Sequence, residues 1–407
     1  MTQTAPVVPD RGGFPFLDIT APDFTYDAPE VAAARDRSWC AESPIGLLVL
    51  RHAEAQQLVR DPRLTHDGAR FMAMSGVADG PVYDWWVPMM VNHDGVDHRR
   101  LRGLVQKAFT PRTLDRLRPF TRARARQLAG DLVGAGTTDF YAACADPLPL
   151  AVMSALLGVP SEDVGVFGTW TTDLGLVLSL IHERSFLDRV VAAVVGLDGY
   201  VDHLMDLRAA EPGEDVVSAL VSERVAEGVV TREELRNLLV TLVFAAHDTT
   251  RHQLANAMVV FAEHPDQWRL LTRRPELVPD AVQELMRWAP SAASVFRFAG
   301  EDFEFGGRLI ERDEFLLVLA PIVQRDPLAY RDGDAFDITA TGRAPLIQFG
   351  GGPHHCLGAA LARIELEEAL AAMTAVLGPP VVTEPVTWRP PIGILGPTAL
   401  SVRFESP

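Results

Sequence analysis

One cysteine set in a run of glycines, FGGGPHHCLG from Phe349 to Gly358, restricts this chain more than any other stretch. From Leu357 to Leu377 the residues are good helix formers, with Leu366, Leu370, Met373 and Leu377 on one face and Gly378-Pro379 as a stop. Cys356 therefore sits at or just before a helix N-terminus, where unpaired N–H groups and the positive end of the dipole favour a thiolate. Gly350, Gly351 and Gly352 let the backbone approach a flat ligand and take positive φ, and Phe349 is placed to shield the sulfur. A phosphate loop requires a Lys after the last Gly of GxxxxG, which is missing. Zinc calls for paired ligand spacings, whereas Cys40, Cys144 and Cys356 lie far apart. A buried cysteine in a structural turn is the bland alternative; a metal-bound thiolate is the sharper reading.

The stretch FGGGPHHCLGAALAR, Phe349 to Arg363, resembles the haem-thiolate signature of the cytochrome P450 family, F-G-x-G-x-H-x-C-x-G followed by L-A-R. The resemblance runs from about Phe16 to the C-terminus and is strongest between Asn92 and Arg112 and between Thr231 and Glu368. It implies a mainly α fold with small β-sheets: one triangular-prism domain over residues 1–407, with 1–15 as a flexible N-terminus. It also implies haem b as cofactor, Cys356 as its axial ligand, and Ala245, Phe349 and Gly358 against the haem.

Composition agrees with one compact unit. Gly and Pro are scattered without a linker or repeat, and 48% hydrophobic with 22% charged residues is ordinary for a globular protein. A net charge of -17 argues against nucleic acid as a partner. No apolar stretch reaches about eighteen residues, and the opening MTQTAPVVPDRGG lacks the marks of a signal peptide. A cytosolic protein without a membrane anchor is expected, and three cysteines fit a reducing compartment. Eukaryotic family members usually carry an anchor, so the resemblance points to the bacterial class.

Thr231-Arg232-Glu233-Glu234 reads as a capping box, and a helical pattern follows to about Glu263, ahead of His264-Pro265. That length spans about 48 Å at 1.5 Å per residue. Leu238 to Ala246 has no polar face, which predicts a helix through the interior. His247, Asp248, Thr249 and Thr250 then interrupt it; either the helix emerges into solvent there or the polar patch has a use. Apolar residues return at Leu254, Ala255, Met258, Val259 and Val260. AAHDTT is similar to the family's oxygen-activation motif, A-G-x-D/E-T-T, which implies that Asp248 gates proton entry and Thr249 supports O–O cleavage. Ala246 departs from the usual Gly.

His98 and Arg102 are four apart on a predicted helix and match the family's H-x-x-x-R, whose residues bind the haem propionates. His354 and Arg297 match two further propionate partners. Singly, each reads as well as a solvated surface charge. Glu284 and Arg287 lie one turn apart and match the family's structural ion pair; Ala340 stands where a third partner often sits, leaving Arg343 as its substitute.

The resemblance therefore implies a monooxygenase inserting one oxygen atom of O2 into a small, largely apolar substrate, by hydroxylation or epoxidation of a natural-product intermediate. Electrons would come from a separate ferredoxin or flavodoxin, docking on Arg99, Arg100, Lys107, Arg112 and Arg363, which equally read as ordinary surface charge. Thr241, Phe244, Ala245, Ala293 and Val295 are candidate substrate contacts. The Phe71 to Met90 stretch resembles the family's variable lid, although Trp85 and Trp86 equally read as core anchors, and Leu174 to Leu204 should add pocket walls. The rival readings are a peroxide-driven haem-thiolate enzyme and a non-catalytic haem sensor. A non-haem iron site from His93, Asp94 and His98 has poor ligand spacing.

Overall fold

Thr231 opens the longest helix of the molecule, Arg232–Glu263, called here the core helix, and completes the expected capping box. Its hydroxyl accepts from Glu234 N at 3.1 Å, while the Glu234 carboxylate accepts from Thr231 N at 3.0 Å. The computed structural model describes residues 13–160, 163–178, 180, 185–213, 215–221 and 229–406. Most of the stretch expected to be a flexible N-terminus lies outside them.

Two hydrophobic cores use the core helix in turn. Leu235 to Phe244 packs with Trp85, Trp86 and the Ser185–Ala210 helix. Leu254 to Phe261 packs with Trp268, Leu285 and the Ala359–Val376 helix. The polar turn from His247 to Gln253 lies at the seam, and every member except Thr249 is buried. The helix therefore does not emerge into solvent there. Since both cores share one helix, neither is a domain of its own.

The Ala359–Val376 helix is shorter than the expected Leu357 to Leu377, because Gly358 takes the N-cap. Leu366, Leu370, Met373 and Leu377 are buried, as their spacing predicts. A five-stranded sheet lies on the other side of the site. Cys40–Ser43, Gly46–Val49, Phe315–Leu319, Ser294–Ala299 and Leu64–Thr65 lie side by side in that order. Register pairs Arg297 with Leu316 and Val295 with Val318. With its small sheets the molecule is mainly α, as the resemblance implies. Among the described residues no helix is long and apolar enough to cross a membrane.

Candidate active site

A cavity of about 300 Å³ opens between the core helix and the glycine loop. Ala245, Ala246, Thr249 and Thr250 line it from the helix, and Phe349, Cys356, Leu357 and Gly358 line it from the loop. Cys356 lies deep in the fold yet is exposed, because it opens onto this cavity. Thr241, Phe244, Leu178, Trp86, Met89 and Phe296 complete walls that are mostly apolar.

The loop is held by its own backbone: Cys356 N donates to Phe349 O at 2.8 Å and Gly350 N to Ile347 O at 2.8 Å. Gly350 and Gly352 have φ of 66° and 61°, which only glycine takes without strain. A Cβ on Gly351 would lie 2.7 Å from Val59 Cγ2. The expectation that the loop by itself favours a thiolate is not met. Burial pushes the Cys356 thiol up and outweighs the opposing Gly358 N–H, the charges of Arg102 and Arg363 and the Ala359 N–H. A metal cation at the sulfur is what would reverse that balance.

One end of the cavity collects basic side chains. His98, Arg102 and His354 line it, and Arg297 lies buried behind them on Ser294–Ala299. Arg102 Nη2 donates to His355 O at 2.8 Å; Arg297 donates to Phe296 O at 2.7 Å and Val59 O at 3.4 Å. Among the described residues neither guanidinium has a carboxylate within ion-pair distance. Burial pushes Arg297 down to about 10, the mark of a charge short of an anion. Asp94 does not fill the gap: it accepts from His354 Nε2 at 2.8 Å and His66 N at 2.8 Å. A buried Arg297 and a half-buried Arg102, neither with a carboxylate among the described residues, together with an open sulfur and a mostly apolar cavity, fit a haem with its two propionates.

Glu284 and Arg287 are not the exposed pair their spacing alone suggests. They are buried and bidentate, at 2.7 and 2.8 Å, and Arg287 also donates to the carbonyls of Gln324, Gly333 and Ala335. Arg343 takes the third place, its Nε 3.1 Å from Glu284 Oε2. Sequence reasoning missed Gln324, which ties this pair to the loop. Its amide donates to Met286 O at 2.9 Å, and its oxygen accepts from Ile347 N at 2.8 Å. No local pattern around Gln324 signals that role.

The candidate substrate contacts divide. Thr241, Phe244 and Ala245 line the cavity, whereas Ala293 and Val295 do not. Strand alternation explains it: Phe296 is turned to the cavity, and its neighbour Val295 packs on a separate buried cluster that includes Leu47, Val49 and Leu316. Ala293 is buried between Gly393 and Ala320, its N–H and C=O both bonded to backbone. Trp85 and Trp86 are both buried; Trp86 lines the cavity, and Trp85 meets Phe244 edge to face at 5.6 Å. Leu178 is the wall that the segment from Leu174 supplies.

Thr249 and Asp248 face opposite ways. The Thr249 hydroxyl donates to Ala245 O at 3.0 Å and borders the cavity. Asp248 is fully buried behind the helix, where Arg389 Nη1 donates to its Oδ2 at 2.8 Å. Arg389 comes from the C-terminal region, 141 residues away, and was not anticipated.

Comparison with known proteins bears directly on this site. The family model "Cytochrome P450" matches residues 198–374. The luteothin monooxygenase of Streptomyces thioluteus is 44% identical over 405 residues, 99% of each chain. The mycinamicin IV hydroxylase/epoxidase of Micromonospora griseorubida is 37% identical over 287 residues, 70% of this chain and 71% of that one. The crystal structure of CalO2 superposes with a TM-score of 0.88 at 31% identity, over 96% of this chain and 99% of the other.

Proposed function

The chain belongs to the cytochrome P450 family and is a haem-thiolate monooxygenase; on that premise we propose that it oxidises a small, largely apolar natural-product intermediate in the cavity between Thr249 and Cys356. The observation that carries this reading is the pairing of an apolar cavity with an open sulfur on one wall and a hydroxyl on the other. Relatives named for luteothin and mycinamicin IV support the substrate class.

Haem, once bound through Cys356, supplies dioxygen activation and the passage of electrons. Arg102 and Arg297 would hold its propionates, with His98 and His354 as further partners, which would give both guanidinium groups the anions that the described residues do not supply. Phe349 and Gly358 would line its site beside the sulfur, and the small Ala245 and Ala246 would leave room for it along the core helix. Thr249 Oγ1 holds a proton at the cavity wall, and Asp248 recharges it by turning from Arg389 toward the cavity. Phe244, Thr241, Leu178 and Phe296 exclude water and orient the substrate, with hydroxylation and epoxidation both within reach of the chemistry. Electrons come from a ferredoxin or flavodoxin, drawn by the exposed Arg99, Lys107 and Arg112. Arg100 is a weaker candidate there, tied to Glu234 at 2.6 Å.

Titration of the holoenzyme with luteothin, mycinamicin IV and a set of carboxylated analogues, followed by the iron spin-state spectrum, tests the substrate class. Saturable low-to-high-spin shifts with the neutral compounds are expected; shifts with the carboxylates alone would refute it. Turnover with hydrogen peroxide but not with reduced ferredoxin or flavodoxin would overturn the electron source in favour of a peroxide-driven enzyme.

A further inference from the structure

Behind the core helix, on the side turned from the cavity, lies a second buried polar cluster. The Tyr141 hydroxyl is 2.6 Å from the carbonyl of Pro397 and 2.6 Å from His252 Nδ1. A phenol has one hydrogen and a carbonyl only accepts, so that hydrogen goes to Pro397 O. His252 Nδ1 must then carry its own hydrogen and donate it to the Tyr141 oxygen. The other ring nitrogen, Nε2, lies 3.4 Å from Asp248 Oδ1, within ion-pair range but without an aligned hydrogen bond among the described residues. A bare nitrogen lone pair beside a carboxylate oxygen in a buried site is repulsive, and a proton between them makes the contact attractive.

The surroundings hold that proton loosely. Burial pushes His252 down to about 4, against the hydrogen bond and charge of Asp248. Burial by itself would raise the Asp248 carboxyl, but Arg389, His252 and Arg251 outweigh it and hold the group well below the usual carboxylate range. Arg389, Arg251 and Tyr141 face the pair, and Asp146 lies 3.1 Å beyond Arg251 Nε. Both side chains occupy niches that only glycine permits. A Cβ on Gly396 would come within 2.4 Å of His252 Nδ1, and one on Gly175 within 1.7 Å of Asp248 Oδ2.

We propose that His252 is the positioning residue that supplies protons to Asp248, with Tyr141 selecting which ring nitrogen gives. The proton on His252 Nε2 moves to Asp248 Oδ1, leaving a neutral imidazole with hydrogen on Nδ1 and a transient carboxylic acid. Because Asp248 faces away from Thr249 and both it and His252 are buried, delivery requires the carboxyl to leave Arg389 and turn toward the cavity, and solvent admitted by that opening reprotonates His252. The inference rests on the reading of Asp248 given above.

His252→Asn removes Nε2 and keeps a polar atom near the place of Nδ1. The assay is substrate-free NADPH oxidation by the holoenzyme, supplied with a plant-type ferredoxin and its reductase, in light and heavy water. His252→Asn is expected to slow it roughly tenfold and enlarge the solvent isotope effect, with unchanged haem content. Tyr141→Phe should move both in the same direction by less, and Asp248→Asn by at least as much. A slow Asp248→Asn beside a wild-type His252→Asn would overturn the inference and leave the reading of Asp248 standing. Wild-type behaviour in both would sink the reading itself. Independently of any variant, nitrogen-15 spectra of the histidine-labelled ferrous carbonmonoxy enzyme should show His252 Nδ1 protonated; a bare Nδ1 refutes the proposal.

Discussion

The polar clusters on the two sides of the core helix are built on opposite principles. At the end of the cavity, Arg102 and Arg297 are held by carbonyl oxygens and have no carboxylate partner among the described residues. Behind the helix, Asp248 has Arg389 at 2.8 Å, His252 at 3.4 Å and Arg251 at 3.8 Å. The first set is completed only by an anion from outside the chain; the second is neutralised by the chain itself. Buried charge is costly when unpaired, so a deficit that survives folding marks where a ligand binds, and a closed set marks equipment of the protein's own.

That contrast can be broken by experiment. The largest effect is expected from Cys356→Ala, which should abolish the long-wavelength Soret band that a thiolate gives in the reduced carbon monoxide complex. Survival of that band would place the ligand elsewhere. Asp248→Asn should leave haem content unaltered and lower turnover coupling roughly 100-fold, read as product formed per NADPH oxidised. A loss of haem instead would show that the rear cluster is not independent of the cofactor. Arg297→Ala should divide the two states of the protein. Haem affinity falls by about 3 kcal/mol, measured by competition with apomyoglobin, while the haem-free protein becomes no less stable, because an unpaired buried charge is gone.

Glu365 supplies the smallest and most graded test. It is buried at the cavity wall, its Oε2 lacks a hydrogen-bond partner, and burial pushes its carboxyl up to about 8 from 4.5. Between those values the unfolded chain has released a proton that the native state retains. The contribution of Glu365 to stability is therefore fullest below about pH 4.5 and is lost as pH rises toward about 8. Glu365→Gln removes that slope. Its Tm advantage over the wild type should grow across this window; parallel Tm curves would mean that Glu365 is paired once haem is bound.

Legibility in the sequence followed distance along the chain. The capping box of Thr231 and Glu234, the Glu284–Arg287 pair and the cysteine loop are each written within a few residues and could be read directly. Arg343 was reachable because it lies close to the expected position. Gln324, Arg389 and the Tyr141–His252 contact join segments 23 to 141 residues apart, and nothing local to any of them announces the partner. Val295 and Ala293 failed for another reason: motif spacing locates a strand but not which of its faces meets the cavity.

The sequence by itself determined the course of the glycine loop, the interior course of the core helix and the order of the basic residues, because each depends on short-range backbone preference and periodicity. Only the tertiary structure decided that burial outweighs the helix end at Cys356, that Asp248 turns away from the cavity, and which charges are left without partners. Those outcomes depend on desolvation and on contacts between distant segments, and both come into being only when the chain packs.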